Sequence, residues 1–161
     1  MQFICVQNFD QWRDHARRLL AQQVPPDAVH WTSQPQQPGL FDAEEQQEKP
    51  TTKITVPPVF LDLAEKVACH RELIRWEILY RTLWRLTHGE RHLLDIPSDD
   101  DVLAINKMQK AVTRDVHKMK AFVRFRRVAD QQSGETYIAW HRPDHRIVRL
   151  AAPFFHGVSK E

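Results

Sequence analysis

The sequence predicts an α+β fold with a mostly helical core, a small antiparallel β-hairpin and one long polar loop, and three observations carry that prediction. Apolar residues recur at helical spacing through most of the chain. Two segments in the last third alternate apolar and polar residues around a polar turn, and one internal stretch has almost nothing to bury. A length of 161 residues suits one domain. Its parts read as an N-terminal strand and helix over 1–31, a flexible linker or loop over 32–53, and a helical core with a basic hairpin over 54–161.

Gln2-Phe3-Ile4-Cys5-Val6 has the character of a short buried strand. Asn8 or Asp10 then caps an amphipathic helix whose apolar face holds Trp12, Ala16, Leu19 and Leu20 and which ends before Pro25-Pro26. Val29-His30-Trp31 forms a second short strand, and Trp12 and Trp31 belong to the core. From Thr32 to about Lys53 the composition shifts to Gln, Pro, Glu and Thr. Pro57-Pro58 opens a helix through Val59–His70, and Leu73, Trp76, Leu79, Tyr80, Leu83 and Trp84 mark the next one as the central core helix. Ser98 with Asp99, Asp100 and Asp101 caps a long helix with apolar face Ile105, Met108, Val112, Val116 and Met119. An alternating strand Ala121–Arg126, a turn at Ala129–Gly134 and a strand Thr136–His141 follow, and Asp144 caps a last helix from Arg146 to Phe155.

Charge is the main functional signal. The whole chain carries only +2, but from Val102 onward twelve Lys and Arg face five Asp and Glu. That asymmetry suits an anionic partner such as DNA. Lys107, Lys110, Arg114 and Lys118 fall at i, i+3, i+7 and i+11 and form a stripe on the long helix. Arg124 and Arg126 continue it onto the hairpin, among the aromatic groups Phe122, Tyr137 and His141, a mixture that contacts phosphates and stacks on unpaired bases.

Catalytic candidates are few. His117 with Asp115 is one pairing, and His88 with His92, at the i, i+4 spacing of two helix-borne metal ligands, is another. Gly89 weakens the helix between the latter two and Glu90 sits one position late for a His-Glu-x-x-His motif, so a turn is the competing reading and no metal or cofactor is expected. Cys69-His70 cannot pair readily as helix neighbours, which makes Cys69 structural. With two cysteines, no long apolar run and no signal-like N-terminus, the sequence predicts a reducing, cytoplasmic setting.

Inside the linker, Gln37-Pro38-Gly39-Leu40-Phe41 resembles the Gln-x-x-Leu-Phe peptides with which bacterial DNA repair and replication proteins bind the sliding clamp. Gln37 would bond at the groove edge while Leu40 and Phe41 fill its apolar pocket; alternatively Leu40 and Phe41 pin the loop to this domain's own surface.

A broader resemblance rests on Trp12-Arg13-x-x-Ala16-Arg17-x-Leu19-Leu20, Val67–Arg71, Leu79–Leu94, Arg114–Arg126 and Ala151–Phe155. Together these segments resemble a bacterial family of probable DNA metabolism or DNA repair proteins of unknown activity. Members of that family accompany a radical-SAM putative DNA repair protein or are fused N-terminally to a uracil-DNA glycosylase family domain. The resemblance implies a DNA-associated role and such a repair enzyme as partner. It also implies a C-terminally truncated form, because the family domain continues past the Pro-Phe-Phe segment. The chain has neither a Gly-x-Asp-Pro-type loop with a His-Pro-Ser-like loop, as a glycosylase of that family needs, nor a Cys-x-x-x-Cys-x-x-Cys cluster site. An accessory, non-catalytic DNA-binding domain is therefore the expectation, with a protein-interaction adaptor and an unrecognised DNA-processing enzyme as the alternatives.

Overall fold

A computed structural model describes residues 1–34, 54–130 and 134–158. The clamp-like peptide Gln37–Phe41, with its candidate contacts Gln37, Leu40 and Phe41, lies outside the described residues. The α+β class holds: five α-helices accompany one parallel and one antiparallel strand pair among the described residues.

The N-terminal part is a β-α-β unit. Strand β1 (Gln2–Cys5) and strand β2 (Val29–Thr32) pair in parallel, with helix α1 (Phe9–Ala21) as the crossover. Asn8, not Asp10, caps α1: its side chain accepts the Gln11 N–H at 3.0 Å, while Gln11 Oε1 accepts the Gln7 N–H at 2.8 Å. β1 is only half buried, with Ile4 inside and Phe3 exposed, because successive side chains of a strand point to opposite faces and only one face of this sheet meets the core.

Helix α2 (Pro58–Ala68) starts on its proline as expected, and helix α3 (Ile74–Thr87) is the centre of the core. Trp12 stacks on Trp76 with centroids 6.1 Å apart, and Trp31 meets the edge of Tyr80 at 5.6 Å. Two of these rings have their polar ends bonded inside, while Trp76 Nε1 is buried without a partner among the described residues. Trp12 Nε1 donates to the Trp76 carbonyl at 3.3 Å and the Tyr80 hydroxyl to the Val24 carbonyl at 2.7 Å. Burial accordingly pushes the Tyr80 phenol well above its ordinary range.

Helix α4 (Asp100–Phe122) packs against α2 and α3 through Val102, Ile105, Met108 and Val112. It runs past the predicted strand start at Ala121. The Val123 N–H closes onto the Met119 carbonyl, and Arg124 Nη1 donates to the carbonyls of Ala121 at 2.8 Å and Val123 at 3.1 Å. An apolar–basic alternation at a helix C-terminus is thus read by the carbonyls it satisfies rather than by a sheet.

The hairpin is tighter than expected: β3 (Arg126–Asp130) starts downstream of the expected Ala121, β4 (Gly134–Ile138) starts upstream of the expected Thr136, and the two pair antiparallel. Gly134, at φ +80°, sits where the return strand begins and is opposite Asp130, so pairing counts back to Arg126. All side chains of 126–129 and 134–138 are exposed. The last helix, α5 (Val148–Val158), begins two residues later than predicted and without an Asp144 cap, because the preceding backbone bonds outward to other elements. It packs along α4, where Val112, Val123, Ile147 and Ala151 are buried.

Candidate nucleic-acid interface and arginine sites

The long helix separates its chemistry cleanly. Lys107, Lys110, Arg114 and Lys118 are exposed, on the side away from Val102, Ile105, Met108 and Val112. None of the four is in an ion pair among the described residues. Beside the stripe, Gln109, Lys110, Thr113, Arg114 and His117 line a shallow open groove of about 460 Å³. Their spacing along the helix puts them on adjoining turns of one face, so the groove is lined by two cations, an imidazole and two neutral hydrogen-bonding side chains.

Two pairings expected from sequence do not form. Asp115 is buried and its Oδ2 accepts the His145 N–H at 2.8 Å, while His117 is exposed on the groove. Residues two apart on a helix point about 200° apart, so carboxylate and imidazole face opposite ways. The inward turn of Asp115 also removes the one acid that could have neutralised the stripe. On the hairpin, Arg126 stands opposite Ile138 and shares its face with Val128, whereas Tyr137 lies opposite Arg127 on the other face. Arg126 and Tyr137 therefore do not form one surface. Arg124 is folded back on its own helix end, Phe122 belongs to α4, and His141 lies half-buried beyond β4.

His88 and His92 are parted by the end of α3. Gly89, at φ +115°, reverses the chain, and the Glu90 N–H closes the helix onto the Arg85 carbonyl at 3.0 Å. His88 stacks on Trp84 at 3.7 Å and bonds Gln23 Oε1 at 3.1 Å, while the exposed His92 sits 3.4 Å from Asp95. Each ring has its own partner and the two share no helix face. Cys69 caps α2, with Sγ directed at the Glu65 carbonyl at 3.6 Å; burial, then Glu65, raises its thiol pKa, the opposite of an activated nucleophile.

That same Gly89 turn delivers Glu90 to Arg85, whose Nη2 also reaches Asp99 at 2.8 Å and whose Nη1 reaches Asp101 at 2.9 Å. Arg81 also bonds Asp101. Asp99, not Ser98, is the α4 cap, accepting the N–H groups of Asp101 at 3.0 Å and Val102 at 3.3 Å. The acidic run thus anchors α4 to α3 as well as meeting the helix dipole. The Arg85 hydrogen bond holds the Asp99 carboxyl below its usual range, and Glu90, Asp99 and Asp101 raise Arg85 further.

A third arginine stands out neither by charge pattern nor by motif. Arg75 is fully buried at 0% exposure, yet among the described residues it meets no carboxylate. Its Nη1 donates to the Glu72 carbonyl at 2.7 Å, its guanidinium lies 4.3 Å from the Trp76 ring centre, and its Nε has no partner among the described residues. Burial, then Arg146, lowers its pKa to about 10, so it stays charged at neutral pH. The sequence signal is its phase: residues 75, 79, 82 and 86 follow one helical face, and the last three are buried Leu79, Thr82 and Leu86.

No curated protein and no solved structure matches the chain. The model of a family described as a domain of unknown function, DUF4130, matches residues 74–158, from the first residue of α3 to the last of α5. The match takes in Arg75, the Arg85 network, the α4 stripe and the hairpin, and it covers more than half of the chain. The protein belongs to the DUF4130 family.

Proposed function

We propose that this protein is an accessory DNA-associated domain that holds DNA near a partner repair enzyme, with the α4 stripe as its main contact. The observation that carries the reading is the row Lys107, Lys110, Arg114 and Lys118, exposed together without ion pairs among the described residues beside the groove of Arg114 and His117. Like charges in a row repel one another, and phosphates relieve that repulsion while releasing counterions. Arg126 extends the surface onto the ribbon, whereas Arg124 contributes charge from its helix-capping position. The resemblance to probable DNA metabolism and repair proteins supports DNA as the anion and a radical-SAM or uracil-DNA glycosylase family protein as the neighbour.

The test is fluorescence anisotropy against single- and double-stranded DNA over a salt series. The expected result is weak, steeply salt-dependent binding. Reversal of Lys110 and Arg114 to Glu should reduce the log–log salt slope by about 0.9 for each duplex phosphate that the variant no longer neutralises. Equal binding by the double variant would remove the stripe from the proposal.

The adaptor reading is favoured by a different observation: Trp140 is 85% exposed, Ile138 two residues before it is exposed, and Phe122 at the end of α4 is exposed as well. Aromatic groups of this kind are used in protein interfaces as well as in base stacking. Pull-down of the partner repair enzyme that persists after nuclease treatment and is abolished by Trp140→Ala would favour the adaptor.

A further inference from the structure

At the junction of α2 and α3, five cationic or hydrogen-donating side chains gather, and among the described residues none of them is in an ion pair with a carboxylate. His70 is buried and lies 4.4 Å, ring centre to ring centre, from His145. His145 belongs to a segment pinned from both sides. Its own N–H goes to Asp115 on α4 at 2.8 Å, and the next N–H, of Arg146, goes to the Cys69 carbonyl at 2.9 Å. Arg75 is fully buried close by, its Nε without a partner among the described residues; its charge acts on His70, and Arg146 is near enough to lower the Arg75 pKa further. Arg71 and Arg146 are exposed, and their backbone N–H groups, bonded to His145 Nδ1 and to the Cys69 carbonyl, hold them at the same junction.

The two imidazoles are fixed in the same sense. His70 Nδ1 accepts the Glu72 N–H at 3.3 Å and His145 Nδ1 accepts the Arg71 N–H at 3.2 Å. A ring nitrogen that accepts carries no proton, so each neutral ring bears its proton on Nε2 and is a donor there. Burial, then the neighbouring His145, lowers the His70 pKa and keeps this ring neutral. The acids nearby do not neutralise the arginines. Asp115 is bonded to the His145 backbone, Glu65 acts on Cys69, and Glu72 is exposed without an ion pair among the described residues.

A buried guanidinium is normally matched by a carboxylate, because leaving such a charge unpaired in a low-dielectric interior is costly. The Trp76 face and one carbonyl offset only part of that cost. Three guanidinium charges with two N–H donors are what a doubly charged tetrahedral oxyanion takes, and they exceed what a single carboxylate needs. We infer that the α2–α3 junction is a binding site for a phosphate monoester, with Arg71 and Arg146 at its mouth, His70 and His145 as neutral donors, and Arg75 as the buried charge beneath. The two sources of that group are a terminal phosphate on a nucleic acid and a small phosphate or nucleotide. The site is independent of the α4 stripe.

The experiment uses the full chain in two arms. In one, inorganic phosphate is titrated by calorimetry and by thermal shift against chloride of equal ionic strength. In the other, a 5′-phosphorylated single-stranded oligonucleotide is compared by anisotropy with its 5′-hydroxyl twin. The proposal expects a gain of about tenfold in affinity from the phosphate in at least one arm, reduced about tenfold by Arg146→Gln and abolished by Arg75→Met. The arm that responds names the source. If Arg75→Met does not fold, Arg146→Gln, a rim change, decides alone. No phosphate gain in either arm overturns the site, and so does a gain that survives both substitutions. The Lys110→Glu/Arg114→Glu variant keeps the phosphate response whether or not it loses DNA, so the two proposals fail separately.

Discussion

Arg75 and Arg85 stand at opposite ends of α3 and are built by opposite rules. Arg85 is partly exposed and bonded to three carboxylates, Glu90, Asp99 and Asp101. Arg75 is fully buried and meets a carbonyl, an indole face and no described carboxylate. The less buried arginine has the more complete set of partners, which is the reverse of what desolvation demands. Arg85 is explained by the fold: it ties the end of α3 to the start of α4. Arg75 is not, and that difference is what separates a structural charge from one held ready for a ligand.

The largest effect that tests the contrast is at Arg85. Arg85→Ala leaves Asp99 and the buried Asp101 short of their counter-charge and should cost about 2–3 kcal/mol in urea unfolding, allowing for its partial exposure. A cost below about 0.5 kcal/mol would make the network decorative. The acid limb follows with a definite sign. Asp99 is depressed in the folded state, so its contribution is present above the unfolded value of about 3.9 and disappears as pH falls through the lower folded value. In Arg85→Ala the fall in stability below about pH 4 should be shallower than in the parent chain.

At the other end of α3, Arg75→Met exchanges an uncompensated charge for an apolar chain of similar length. Its stability should stay within about 1 kcal/mol of the parent in phosphate-free buffer. A cost above about 3 kcal/mol would show that Arg75 is as structural as Arg85 and would erase the contrast. A local effect concerns the turn that brings Glu90 to Arg85. Gly89→Ala meets no neighbour within 4 Å, so its cost is conformational, about 1–2 kcal/mol for a side chain at φ +115°. Combined with Arg85→Ala it should cost less than the sum, because part of the turn's value is the carboxylate it delivers.

How far the sequence can be read follows from the same residues. The helices are legible because Trp12, Ala16, Leu19 and Leu20, or Ile105, Met108 and Val112, repeat at a helical period and do become the buried faces. The hairpin is legible as a type and not in register, because its residues face solvent on both sides and no buried face fixes the phase. The stripe is local to one helix, so its geometry follows from spacing alone. Asp115 and His117 look like a pair in the sequence, but nearness in sequence is not nearness on a helix. The Arg75 cluster joins residues 70–75 to 145–146, an approach across widely separated positions that no local pattern announces.

The length of α4 sets one further quantity. From Lys107 to Lys118 the helix rises about 16 Å at 1.5 Å per residue. Phosphates along one strand of duplex DNA are spaced about 3.4 Å along the axis, so the stripe subtends about five nucleotides. On the proposed reading the domain therefore has a short footprint. It can sit at the margin of a site and leave the adjoining bases open to whatever enzyme works there.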